Sequence, residues 1–181
     1  MVIALTGEKL AGKGTVAKHL AERHQARVLR FSQPLSDVLT RLHQPNTRTH
    51  LVQLGSKLRE VFGDDILARV VKEDILTAPH NFWVVDGMRY MTEYDILSQL
   101  PDFYLLNITA PLEVRWHRTK QRGEKADEAT MTLAEFTARE QDVTEQQIAA
   151  VQGKATQTIH NTGSFNELYS VIDQWLQSQR H

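Results

Sequence analysis

The sequence predicts an α/β fold: a five-stranded parallel sheet with helices on both faces. Three observations predict it. Short apolar runs bounded by turn residues alternate with segments whose apolar residues recur at helical spacing. The length, 181 residues, suits one domain and not two. A glycine-rich stretch lies between the first apolar run and the first helical segment. Parallel neighbours need crossover connections, so alternation of strand and helix implies a parallel sheet covered on both sides.

Val2-Ile3-Ala4-Leu5 reads as the first strand, ending at Thr6-Gly7, and Val16, Ala17, Leu20 and Ala21 mark the helix after it. Arg27 to Phe31 reads as a second strand. Leu35, Val38, Leu39 and Leu42 follow at i, i+3, i+4 and i+7, beyond a first-turn proline, Pro34. After a loop from Pro45 to Arg48, Leu51, Leu54, Leu58, Val61 and Phe62 form one helical stripe. Ile66, Leu67, Val70, Val71 and Ile75 form another, separated from it at Gly63. Phe82 to Val85 is continuously apolar and bounded by Pro79-His80-Asn81 and Asp86-Gly87, as a strand buried on both faces should be.

A helix around Thr92 to Leu100 and a strand from Phe103 to Ile108 come next. Pro111 opens a helix toward Gly123, the apolar pattern lapses from Gly123 to Thr130, and Leu133 and Phe136 restart a helix that weakens through Gln146-Gln147. Ala155 to Ile159 is the last strand. Phe165, Leu168, Tyr169, Ile172 and Leu176 give a terminal amphipathic helix. The chain reads as one domain over 1–181, with 44–78 and 119–140 as insertions on it.

A composition 41% hydrophobic and 24% charged permits a core and excludes a disordered chain. A net charge of −1 removes the main electrostatic argument for nucleic-acid binding. The absence of cysteine excludes disulfides, thiol catalysis and cysteine-ligated zinc. No run approaches the ~18–20 apolar residues of a membrane span. The expectation is a cytoplasmic protein without membrane or nucleic-acid partners.

The strongest chemical signal is Gly7-Glu8-Lys9-Leu10-Ala11-Gly12-Lys13-Gly14-Thr15, between a strand and a helix. Glycines let backbone N–H groups converge on phosphate oxygens, the helix presents its positive end, and Lys13 can reach the terminal phosphates. The strict pattern ends Gly-Lys-Ser/Thr, whereas here Gly14 follows the lysine and the hydroxyl comes at Thr15.

A lysine followed by Gly-Thr resembles the phosphate-binding loop of nucleoside monophosphate kinases, and the resemblance runs along nearly the whole chain. Phe31-Ser32-Gln33-Pro34-Leu35-Ser36-Asp37, Leu54-Gly55-Ser56-Lys57-Leu58-Arg59, Val84-Val85-Asp86-Gly87-Met88-Arg89 and Ile159-His160-Asn161-Thr162-Gly163 are together similar to phage-type deoxynucleoside monophosphate kinases. They also resemble archaeal adenylate-kinase-like proteins and the animal phosphomevalonate kinases. The resemblance implies a P-loop kinase with an acceptor-binding insertion at 44–78 and a short lid at 119–140. Its implied ligands are ATP, Mg²⁺ and a small phosphorylated acceptor, on a monomer or homodimer.

Carried onto this sequence, the resemblance puts Gly7, Ala11, Gly12, Lys13, Gly14 and Thr15 on the phosphates of ATP, with Asn161 and Gly163 on the adenine side. Asp86, just after a buried strand, could hold Mg²⁺ directly or through water, with Thr15 as the hydroxyl donor. Arg59, Arg89 and Ser32 fall on the acceptor side, where a guanidinium fork grips phosphate bidentately. Five basic residues, Arg115, Arg118, Lys120, Arg122 and Lys125, crowd the start of the lid with only Glu124 against them. Unliganded, they should repel one another and stay solvated. Lys13, Arg89, Arg118, Arg122 and Arg139 are the implied catalytic set.

The reaction so implied is transfer of the ATP γ-phosphoryl to a nucleoside or deoxynucleoside monophosphate. Rival acceptors are phosphorylated metabolites of the phosphomevalonate or dephospho-coenzyme A type. A rival of another class is an ATP-dependent binding module, which would need neither acceptor arginines nor a lid. The eight histidines offer no metal spacing, since His19 and His24, five apart, project ~140° from each other on a helix. No function is expected of them.

Overall fold

The computed structural model describes the backbone of residues 1–122, 131–140 and 143–179, and their side chains other than those of 121–122, 139–140 and 143–146. In chain order the first half runs β1 (Val2–Thr6), α1 (Lys13–His24), β2 (Arg27–Arg30), α2 (Gln33–Arg41), α3 (Arg48–Phe62), α4 (Ile66–Thr77) and β3 (Trp83–Asp86). The second runs α5 (Met91–Leu97), β4 (Phe103–Thr109), α6 (Leu112–Arg122), α7 (Leu133–Glu140), α8 (Val143–Gln152), β5 (Gln157–His160) and α9 (Phe165–Ser178).

The five strands form one sheet in the order β2-β3-β1-β4-β5, every pair parallel. β1 lies at the centre. Ile3 pairs with Val84 on one side and Tyr104 on the other. All five residues of β1 are buried, as a central parallel strand requires.

The side-chain alternation of the strands divides the core in two. Val2, Ala4, Trp83, Val85 and Leu105 pack with residues of α2, α4 and α5 and with Val151 of α8. Ile3, Leu5, Val84, Leu106 and Ile108 point to the other face, against Val16, Ala17 and Leu20 of α1 and Leu168, Ile172 and Leu176 of α9. The connection from β1 to β2 runs in the opposite direction to those reaching β3, β4 and β5. Right-handed crossovers therefore place α1 on one face and the intervening helices on the other.

The helical stripe expected from Leu51 to Phe62 is only partly buried. Leu51, Leu54 and Leu58 pack on the core, while Val61 is 68% and Phe62 56% exposed. α3 contacts α2 and α4, and Arg69 of α4 donates to the Phe62 carbonyl (2.8 Å), but the last two apolar side chains of the stripe face solvent. The helix expected to weaken through Gln146-Gln147 is two helices, α7 and α8. Among the described residues no helix is long and apolar enough to cross a membrane.

Candidate active site

The chain leaves β1 toward β2 and leaves β4 toward β5, so a crevice opens at the carboxyl ends of these neighbouring strands. The glycine-rich loop fills this edge. Gly7 (φ 132°) and Gly12 (φ 113°) hold backbone angles that L side chains rarely adopt. A Cβ at Gly7 would collide with the carbonyl of Ile108 at the end of β4, and one at Gly12 with the side-chain amide of Asn161 beyond β5.

Gly12 is the N-cap of α1 and supplies no capping side chain, so no side chain of its own covers the first-turn N–H groups, the part of a helix that attracts anions. Lys13 Nζ folds back over the loop and donates to the carbonyls of Gly7 (2.6 Å) and Glu8 (2.8 Å). Loop and lysine thus come together as the sequence implies. A Cβ at Gly14 would meet nothing within 4 Å, and Thr15 is half-buried in the first turn.

The back of the loop is held by α6 and the segment after β5. Arg118 Nη1 donates to the carbonyls of Leu10 (3.2 Å) and Ala11 (3.3 Å), while Nη2 reaches that of Asn161 (3.1 Å). Asn161 Nδ2 donates to Ala11 as well (2.8 Å). Arg115 is buried, with Nε on the carbonyl of Ala110 (3.0 Å), Nη1 on that of Lys9 (3.4 Å) and its guanidinium near the Phe136 ring. Burial pushes the Arg118 guanidinium below its ordinary value, which lies so high that the group stays charged.

For Arg115 and Arg118 this corrects the expectation that the basic cluster stays solvated, whereas Lys120 is exposed as expected and Lys125 falls outside the described residues. A loop that turns its N–H groups one way turns carbonyls the other, and Arg115 and Arg118 satisfy those carbonyls. Arg122 and Arg139 lie on α6 and α7 by backbone, but their side chains, like residues 123–130, fall outside the described residues. Gly163 stands against the carboxylate of Glu167, which caps α9 through Ser164.

Asp86 ends β3, opposite Leu5 of β1, and is half-buried. Arg30, at the end of β2, donates from Nε to Asp86 Oδ2 (3.3 Å), a contact with no advance signal in the sequence. The carboxylate of Asp86 and the hydroxyl of Thr15 are hard oxygen donors of the kind Mg²⁺ takes. They fit that ion and would not select a softer one.

Three residues beyond Asp86 the chain turns through Arg89 and Tyr90 into α5. The Arg59 guanidinium of α3 sits 5.5 Å from the Tyr90 ring. Gly55, one turn before Arg59, is buried. A Cβ there would press on Leu35 Cδ1 (3.1 Å) and Arg59 Nη1 (3.2 Å), so the glycine makes room for the guanidinium. Ser32, two residues beyond β2, is exposed and is the N-cap of α2.

Two further residues belong to this edge. Glu93 is 4% exposed, and its Oε2 accepts from the N–H groups of Arg89 (2.7 Å) and Tyr90 (3.1 Å). Burial pushes its carboxyl up to about 7, against the opposing pull of those N–H groups and of the Arg59 and Arg89 charges. Glu8, inside the loop, has Oε1 bonded to Gln152 Nε2 (2.8 Å), while its buried Oε2 has no partner among the described residues. The only advance signal for Glu93 was an acidic residue in a helical first turn, which ordinarily reads as a cap.

No protein-family model matches the chain. It is similar to the UPF0200 protein of Saccharolobus islandicus, 28% identical over 168 residues, 92% of this chain and 87% of that one. Its fold is similar to that of an uncharacterized protein from Eubacterium ventriosum, with TM-score 0.66 and 14% identity, covering 98% of this chain and 99% of the other. It is also similar to that of shikimate kinase from Acinetobacter baumannii in complex with shikimate, with TM-score 0.56 and 19% identity, covering 98% and 93%. The likeness to these solved structures is one of fold, the five-stranded parallel sheet flanked by helices that the sequence predicts.

Proposed function

We propose that this P-loop kinase fold transfers the γ-phosphoryl of ATP to the phosphate of a nucleoside or deoxynucleoside monophosphate, giving ADP and a diphosphate. The observation that supports it is a pair of cationic sets at the carboxyl ends of neighbouring strands. Lys13 stands over the loop that follows β1, and Arg59 with Arg89 stands beyond the adjacent strand β3. An oxygen of the acceptor phosphate attacks the γ-phosphorus as the bond to the β-phosphate bridging oxygen breaks, and that oxygen leaves with ADP. No side chain need act as nucleophile, because catalysis here is positioning plus electrostatic stabilisation.

In this reading Gly7, Ala11, Gly12, Gly14 and Thr15 cradle the ATP phosphates, and Lys13 leaves the Gly7 and Glu8 carbonyls for the terminal phosphates. Asn161 and Gly163 border the adenine. Asp86 and Thr15 would hold Mg²⁺, which would supply positive charge against the phosphates. Arg59 and Arg89 orient the acceptor phosphate, Ser32 adds a hydrogen bond, Arg122 and Arg139 act from the lid side, and Arg118, bound to the loop carbonyls, holds the cradle in shape from behind. The likeness to a shikimate kinase favours keeping metabolite acceptors as the second reading.

Purified protein with Mg-ATP is assayed for ADP formation against nucleoside and deoxynucleoside monophosphates, with phosphomevalonate, dephospho-coenzyme A and shikimate as competing arms. The highest kcat/KM on a nucleotide supports the proposal. A higher value on any other acceptor moves the acceptor class. Nucleotide binding without acceptor-dependent turnover points to a binding module.

A further inference from the structure

His19, His24 and Asp173 come together where α1 packs on α9. The sequence spacing gave no reason to expect it, because ~140° on a helical wheel describes where two Cα–Cβ bonds point and not where two rings end. The rings are edge-on at 5.7 Å, and Asp173, reaching in from α9, meets both. His19 Nε2 lies 2.7 Å and His24 Nε2 2.6 Å from the same oxygen, Asp173 Oδ1. The three prospective ligand atoms lie within 4.8 Å of one another.

We propose that His19, His24 and Asp173 bind a divalent transition-metal ion of the zinc class, joining the end of the loop helix α1 to the C-terminal helix α9. Two imidazole nitrogens and one carboxylate oxygen are the donors that zinc takes at a three-ligand site, with water completing the coordination. The site is built. The side chain of His19 is only 9% exposed and that of His24 19%, while Asp173, at 32%, opens the cluster to solvent. Tyr169 stacks on His19 at 4.2 Å and 4°, which fixes the ring that a ligand must present.

Tetrahedral zinc with ligand bonds of about 2.0–2.1 Å sets neighbouring ligand atoms roughly 3.3 Å apart. The present hydrogen bonds are shorter, so Asp173 must withdraw by about 0.6 Å, and the two Nε2 atoms, within 4.8 Å of each other, must settle to the same spacing by rotation of the rings. Each ring then presents a lone pair at Nε2. The proton that bridged to the carboxylate moves to Nδ1 of its own ring, or leaves to solvent if the ring was doubly protonated, and no redox step is involved. Mg²⁺ should not substitute, since it prefers near-octahedral oxygen ligands. His19 and His24 lie roughly 9 and 16 Å along α1 from Lys13, so the cluster is distinct from the first turn of that helix.

Chelator-stripped full-length protein is titrated calorimetrically with ZnCl₂, with MgCl₂ as a separate arm. One equivalent of zinc is expected. His19→Gln, His24→Gln and Asp173→Ala should each weaken it by about tenfold or more, with no such loss in the exposed control His43→Asn. Zinc at about 100 times its dissociation constant should raise the melting temperature by roughly 5–10 °C in the wild type but not in the variants. CoCl₂ should give the visible band of low-coordinate cobalt.

His24→Gln, at the helix end, keeps the test open if a more buried variant fails to fold, circular dichroism being the check. Absence of zinc binding at micromolar concentration overturns the proposal and leaves a hydrogen-bonded His-Asp-His clamp. So does binding that all three variants retain, or magnesium binding as tight as zinc.

Discussion

Lys13 is the residue on which the phosphate loop turns, because its ammonium is already held over the loop by the Gly7 and Glu8 carbonyls. Lys13→Ala should fold and lower turnover by roughly 10²–10³, the cost of losing a preorganised donor to a developing charge. Near-normal kcat in a folded Lys13→Ala protein would overturn the kinase reading. Glu93 carries a different prediction. Its carboxyl titrates near 7 in the fold against 4.5 as the ordinary value, so the folded state binds the proton more tightly. The resulting stabilisation is full below about 4.5 and is lost as pH rises through about 7, ~3 kcal/mol in all. Denaturation midpoints measured from pH 4.5 to 8 should therefore fall for the wild type relative to Glu93→Gln. Parallel curves for the two proteins would mean that Glu93 is not buried as a proton-binding group.

Among the elements, α3 shows how a helix accepts a local cost for a site. Gly55 lowers helix propensity by about 1 kcal/mol relative to alanine, yet it leaves room for Leu35 and the Arg59 guanidinium. Arg59→Ala should raise the acceptor KM or lower its kcat/KM by one to two decades, about 1.5–3 kcal/mol, while the KM for ATP moves little. Equal weakening of both substrates would put Arg59 on the wrong side of the reaction. α6 has the complementary task, since Arg118 joins the loop carbonyls to Asn161. Arg118→Ala should speed hydrogen exchange in 7–13 without changing exchange in α4; uniform acceleration would indicate global destabilisation. The placement of Lys13 over its loop and of Asp86 at a strand end was legible because each rests on a local pattern. The Arg118 clamp was not, because its partners lie 43 and 107–108 residues away.

At the scale of the molecule, the strand–helix alternation carried the fold class, since periodicity is a property of single segments. Strand order was not legible in the same way. Nothing in Val2-Ile3-Ala4-Leu5 says that its neighbours are β3 and β4 and not β2. The same limit hid the histidine cluster, which needs α9 packed on α1 to exist. The central position of β1 has a consequence for biosynthesis. Of the five strands β1 is made first, and both its partners are made after β2; Thr6 meets Asn107 only when about 100 further residues exist. At ~5–20 residues per second the nascent chain carries this bare apolar strand for roughly 5–20 s. A truncated chain ending before β4 should accordingly show no cooperative melting transition. Release of such a fragment would leave the β4 side of β1 as an open parallel-strand edge, and damage to the message between β3 and β4 should leave an aggregation-prone product instead of a smaller folded protein.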